Sequence, residues 1–241
     1  MQRRESVLRC EVAAATLLLN DLGIMGYSGH IAARLDDSQT FLIQSFQQSR
    51  STIGPDDLLV CDLDGGVVSA PAGSRPPSEV YLHCEIFRAR ADVQAIAHFH
   101  HERTTVFTLA KGAKLQPVKN HAARWMSGIP VHDDPSHVST SERGRSLAQT
   151  LGGKHGLLIR AHGQVIVAES VQGVLIDSIH FVENAQAMYD AACLGPVAPL
   201  TEAEMAAFSS EFDRNKHIAK LWEYYVGRGR ASGMLPKAWA L

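Results

Sequence analysis

Apolar residues recur at spacings of mostly three and four through residues 4–21, at Val7, Leu8, Val12, Ala15, Leu18 and Leu19, with Gly23 as a stop. The spacing predicts an opening helix. After the turn Gly26-Tyr-Ser-Gly29-His30 the apolar runs shorten, and residues 31–35 and 41–43 across Asp36-Asp37 predict a hairpin. The glycines of that turn let the backbone approach a neighbour closely. A second β pair is expected from residues 58–61 and 67–68, because Asp64-Gly65-Gly66 supplies the positive φ angles of a tight turn.

Pro76-Pro77-Ser78-Glu79 announces a helix to about Arg90, with Ser78 as N-cap and Glu79 in the first turn. Residues 93–100 form an apolar run of the kind a buried strand carries, and a helix is expected over residues 104–111. Ser139 or Thr140 caps another over residues 142–151, after a long irregular stretch. Residues 157–159 and 165–167 flank His162-Gly163 as strand, turn, strand, and a long helix follows from Val171 to Cys193, ended by Gly195-Pro196. The order predicts an α/β protein in which helices cover a mainly antiparallel, mixed sheet, without the strict alternation of a doubly wound fold.

Composition narrows the partners more than the fold. The chain has 241 residues, with 23 Lys+Arg against 25 Asp+Glu and a net charge of −2, so no basic excess points to nucleic acid. A hydrophobic share of 45% against 20% charged residues fits a globular chain with a sizeable core. Cys10, Cys61, Cys84 and Cys193 show no C-x-x-C spacing and are expected as reduced core thiols. Arg9, Glu11 and Asn20 interrupt any signal or membrane run near the N-terminus, so a cytoplasmic protein is expected. Dinucleotide, P-loop and nucleophile-elbow motifs are absent.

The unusual feature is 12 histidines, more than the 3 Trp and 5 Tyr together. His98 and His100 stand at i and i+2 of the expected strand and project from one face, where two imidazoles can share an ion. His162, in the turn Arg160-Ala-His-Gly163, is the best third ligand. Three neutral imidazoles suit zinc, manganese, iron or cobalt and do not choose among them. Glu79, at a helix start, is either a capping carboxylate or an acid/base group beside the metal.

The ordered motifs Ser28-Gly-His-Ile-Ala-Ala-Arg34, Pro77-Ser-Glu79, His98-Phe-His100 and Ala161-His162-Gly163 together resemble the class II aldolase/adducin family over about residues 5–195. The resemblance implies a single α/β/α catalytic domain over residues 1–200, a C-terminal helical tail over residues 201–241, and assembly as a homo-oligomer, usually a cyclic tetramer. It implies His98, His100 and His162 as metal ligands and Glu79 as general acid/base. Sugar-phosphate aldolases of the family carry Gly-Asn-x-Ser and Ser-Ser where this chain reads Gly29-His30-Ile-Ala32 and Pro77-Ser78, which argues against a phosphorylated substrate.

Gly-His-Ile-x-x-Arg and the run His98-Phe-His100-His101 look more like the branch that decarboxylates hydroxylated aromatic (dihydroxyphthalate-like) or hydroxypyridine dicarboxylates. The expected activity is therefore a metal-dependent, non-oxidative carbon-carbon lyase acting on a small aromatic or heteroaromatic carboxylate. Glu79, with a pKa raised by burial, or His101 would supply the proton. Ser28, Gly29, His30, Arg75 and Ser78 are the candidate substrate contacts, Arg75 for a second carboxylate. Tyr225, in the cluster Leu221-Trp-Glu-Tyr224-Tyr225, either completes the site, as a tail tyrosine does in related aldolases, or packs the core or an oligomer contact. The rival readings are an aldolase acting on an unphosphorylated hydroxy-keto acid and a non-catalytic adducin-like module.

Overall fold

The computed structural model describes residues 2–241. Eight strands form one sheet in the order β4-β3-β2-β1-β5-β8-β7-β6, and every pairing is antiparallel except β6 with β7. The strands are β1 His30–Arg34, β2 Thr40–Gln44, β3 Leu58–Asp62, β4 Val67–Ser69, β5 Ala95–Phe99, β6 Val131–His132, β7 Gly156–Ile159 and β8 Gly163–Ala168. The helices are α1 Gln2–Asp21, α2 Val80–Ala89, α3 Glu102–Thr105, α4 Ser141–Leu151, α5 Val171–Leu194, α6 Glu202–Glu211 and α7 Arg214–Ala231.

Side-chain alternation divides the core into two layers. Ile31, Ala33, Ala95, Ala97, Phe99, Ile166 and Ala168 face the α1, α5 and α7 side. Ala32, Ile96, Val165 and Val167 face α2 and α4. Central strands covered on both faces are apolar at successive positions, as Ala95, Ile96 and Ala97 of β5 are. His30 and His98 are paired across β1 and β5, and each is two residues from a member of the α2/α4 layer, so both stand on that face. Gly144 lets α4 close on α2, since a Cβ there would lie 2.5 Å from the Tyr81 carbonyl oxygen. Trp222, Val226 and Leu235 bury the last helix and its exit against α1 and α5.

Four expectations are corrected. Ser78 is exposed and does not cap α2; Glu79 holds the cap position without a side-chain cap bond, because its carboxylate accepts the Val138 N–H at 3.1 Å. The helix expected over residues 104–111 stops after one turn and passes into a 3-10 turn over Val106–Thr108. Thr104, Thr105 and Thr108 donate their hydroxyls to nearby main-chain carbonyls, an arrangement that competes with regular helix. The long irregular stretch contains a 3-10 helix over Asn120–Trp125 and the short β6. Cys10, Cys61 and Cys84 are buried free thiols, whereas Cys193 is exposed near the end of α5. Among the described residues no helix is long and apolar enough to cross a membrane.

Candidate metal and catalytic site

Two strand ends and a hairpin turn bring the site together. His98 closes the central part of β5, His100 follows one residue past that strand, and His162 sits in the β7–β8 turn. Gly163 makes their approach possible, because a Cβ there would lie 2.5 Å from the Phe99 carbonyl oxygen and 2.8 Å from His100 Cδ2. Ala161 takes a φ of 55° in the same turn, and Thr108 Oγ1 accepts its N–H at 3.0 Å. Gly29, with φ of 115°, approaches the other side of β5, where a Cβ would stand 2.9 Å from the His98 carbonyl oxygen.

One ligand atom from each of Glu79, His98, His100 and His162 lies within 4.8 Å of the others. The His98 Nδ1–H donates to the Gln164 carbonyl at 2.9 Å, and because a carbonyl can only accept, Nε2 is left with its lone pair outward. That Nε2 stands 3.1 Å from His100 Nε2 and 3.3 Å from Glu79 Oε2, while His162 Nε2 is 3.6 Å from Glu79 Oε1. Burial, then the neighbouring His98 and His162, lowers the His100 pKa to about 3, and burial with His98 lowers that of His162. Neutral imidazole nitrogens and a carboxylate therefore face one another across a small space. A divalent cation relieves that crowding of lone pairs, and the donor set fits a first-row transition metal.

The charge state of Glu79 is the reverse of the expectation. Burial raises its pKa, but the surrounding imidazoles of His98, His30 and His162 outweigh it and hold the carboxyl well below its usual range. At neutral pH Glu79 is ionised and acts as a hydrogen-bond acceptor.

His30 lies behind the cluster, 4% exposed, with its Nδ1 2.7 Å from His83 Nε2. Burial, and then in both cases neighbouring imidazoles, pushes the pKa of His83 to about 3 and that of His30 well down, so the bonded pair is neutral. Ser28 is half-buried in the turn before it. Ser78 is exposed beside Glu79. Arg75 is exposed with its guanidinium stacked 3.9 Å from the centre of the Phe46 ring, outside the four-residue cluster. His101 is the cap residue of α3; its Nδ1 is buried without a hydrogen-bond partner, and it too stands outside the cluster. Tyr225 packs on the α1/α5/α7 core layer, its ring 5.1 Å from that of Tyr224.

Two residues of the site are not visible in sequence spacing. His137 stands on the loop before α4, its side chain 74% exposed and Nδ1 3.7 Å from Glu79 Oε1. Only the packing of α4 on α2 carries that loop to Glu79, and no local motif announces it. Arg50 is buried and donates to the carbonyls of Gly29 at 2.6 Å and Ser45 at 3.0 Å, and so fixes the turn that leads into His30. Burial lowers its pKa to about 10, still high enough to keep the charge.

A concavity of about 590 Å³ does not coincide with these groups. It lies at the opposite strand ends, around Arg4, Arg34, Asp36, Gln94 and Glu169, where positive and negative side chains alternate and no donors converge. Chemistry, not volume, locates the site at the imidazoles.

Residues 10–189 match the Class II Aldolase and Adducin N-terminal domain family. The chain belongs to this family. It is 29% identical over 232 residues to the 3,4-dihydroxyphthalate decarboxylase of Terrabacter sp. (strain DBF63), spanning 91% of this chain and 93% of that one. It is also 27% identical over 180 residues to the methylthioribulose-1-phosphate dehydratase of Sorangium cellulosum (strain So ce56), 69% of this chain and 82% of that one. The L-fuculose 1-phosphate aldolase from Glaciozyma antarctica PI12 superposes with a TM-score of 0.83 over 96% of this chain and 92% of that one, at 19% identity, which establishes a shared fold. These three relatives bear three different activity names, so similarity establishes the fold while the site must argue the reaction.

Proposed function

We propose that this chain is a divalent-metal-dependent carboxy-lyase that removes carbon dioxide, without oxidation, from a hydroxylated aromatic or hydroxypyridine dicarboxylate. The convergence of His98, His100, His162 and ionised Glu79 carries the reading. The nearly full-length similarity to 3,4-dihydroxyphthalate decarboxylases supports the choice of substrate class. His98, His100 and His162 would hold the ion through their Nε2 atoms. When bound, it supplies a Lewis acid for the oxygen substituents of the substrate.

The residues of the chain supply the rest. Gln164 and Gly163 fix two of the imidazoles in place, through a carbonyl hydrogen bond and a close strand approach. Glu79, ionised and held by the Val138 N–H, presents its negative charge at the inner end of the site and orients the groups bound there. His137 is open to water and 3.7 Å from Glu79, so it can hand a solvent proton inward. That proton adds to the ring carbon bearing the carboxylate. The carbon-carbon bond then breaks, its electron pair returns to the ring, and carbon dioxide leaves. Neutral His30, bonded to His83, offers no charge to a phosphate group, which disfavours the sugar-phosphate chemistry of other relatives.

The test is carbon dioxide release from a panel of hydroxylated phthalates and pyridine dicarboxylates, run beside aldehyde release from hydroxy-keto acids. The expected result is carbon dioxide from at least one ortho-hydroxy aromatic acid, falling about a thousandfold in His98→Ala, since a Lewis acid contributes several kcal/mol. His137→Ala should lower kcat about a hundredfold while leaving bound metal unchanged. Aldehyde release with no carbon dioxide from any ortho-hydroxy acid overturns the reading in favour of an aldolase.

A further inference from the structure

A second group of histidines lies outside the site described above. His180 and Glu183 are three residues apart on α5 and so share one helix face. His121, from the 3-10 helix Asn120–Trp125, lays its ring against that of His180 with centroids 4.1 Å apart and planes inclined by 20°. One ligand atom from each of His121, His180 and Glu183 lies within 4.8 Å of the others. His121 Nε2 is 3.7 Å from Glu183 Oε2, and it is buried without a hydrogen-bond partner. A buried ring nitrogen without a protein partner is free to meet an ion or another polar group. His217, whose ring centre is 5.3 Å from that of His180, has a second buried Nε2 without a partner. Beside these rings opens a cavity of about 340 Å³ that His121, His180 and His217 help to line.

We propose that His121, His180 and Glu183 form a second divalent transition-metal site, which clips the 120–125 turn to α5. Two imidazoles and a carboxylate are a zinc-type donor set, and the scarcity of oxygen ligands argues against calcium or magnesium. His217 stands next to the donors as a further nitrogen on the cavity wall. Lys119, 3.5 Å from Glu183 Oε2 and 40% exposed, balances the carboxylate when no ion is bound. So exposed an ion pair is weak, and a zinc ion can displace it. The site does not depend on the lyase reading, because it shares no residue with the Glu79 cluster.

The experiment strips the protein with a chelator, equilibrates it with zinc chloride, removes free zinc and counts metal per chain. The wild type should hold about two zinc ions per chain. The double variant His98→Ala, His162→Ala and the double variant His121→Ala, Glu183→Gln should each hold about one. Lys119→Gln leaves every donor in place and should tighten the second zinc equivalent several-fold, a readout that survives if the donor variants fold poorly. A wild type with a single ion that disappears in His98→Ala, His162→Ala overturns the proposal. So does a second ion that persists after His121 and Glu183 are replaced, or one unaffected by Lys119→Gln.

Discussion

The two imidazole clusters of this chain are made of the same side chain and held in opposite ways. In the first, backbone does the orienting: the Gln164 carbonyl fixes the His98 tautomer, and Gly163 brings the β8 backbone against Phe99 and His100. In the second, side chains stack on one another along a helix face, a Lys119 ammonium takes up the carboxylate charge, and ring nitrogens are left without partners. A cluster whose imidazoles lie in, or directly beside, paired strands starts from a backbone that the sheet ladder constrains. A cluster built from one helix face and a 3-10 turn is held by fewer backbone constraints, so an ion there would contribute more of the order.

The sharpest way to break that contrast is Gly163→Ala. The added methyl group meets the Phe99 carbonyl and His100 at distances no Cβ tolerates. The substitution should destabilise the fold by about 1–3 kcal/mol and weaken metal binding at the first cluster about tenfold or more. Zinc bound through His121 should be unaffected. Thermal unfolding with metal titration checks both, and an unchanged first-cluster affinity would show that the glycine does not set His100.

A smaller effect, shared by both clusters, is the pH dependence of the metal-free protein. Burial first, and then neighbouring imidazoles, lowers the pKa of His100 and His180 to about 3, and burial with His98 does the same for His83. In the unfolded chain these groups protonate at about 6.5. Between the two values the unfolded state binds more protons, so their contribution to stability is complete above about pH 6.5 and declines as the pH falls toward about 3. The Tm of chelator-treated protein should therefore drop steadily from about pH 7 to about pH 5. A flat or rising Tm over that window would mean that these imidazoles are not held neutral in the fold.

The first cluster was legible in the sequence because its geometry is local. A strand fixes His98 and His100 on one face by its period of two, and a glycine-flanked hairpin turn puts His162 beside them. The sheet was legible for the same reason, through apolar runs and the Asp64-Gly65 turn. His137 and Arg50 were not legible, since each reaches the site on a loop whose path depends on packing between distant elements. The role of Glu79 was half legible. Its place at the start of α2 follows from Pro76-Pro77, but its ionised state depends on imidazoles contributed by other strands. The second cluster was hidden because residues 121, 180, 183 and 217 are scattered over three segments, and only His180 and Glu183 are near in sequence.

Anomalous X-ray scattering at the zinc absorption edge, from crystals of zinc-reconstituted protein, reads directly whether the three imidazoles share one ion. A full-occupancy anomalous peak bonded to the Nε2 atoms of His98, His100 and His162 is expected. A reconstituted crystal with no peak among these three imidazoles would contradict that expectation.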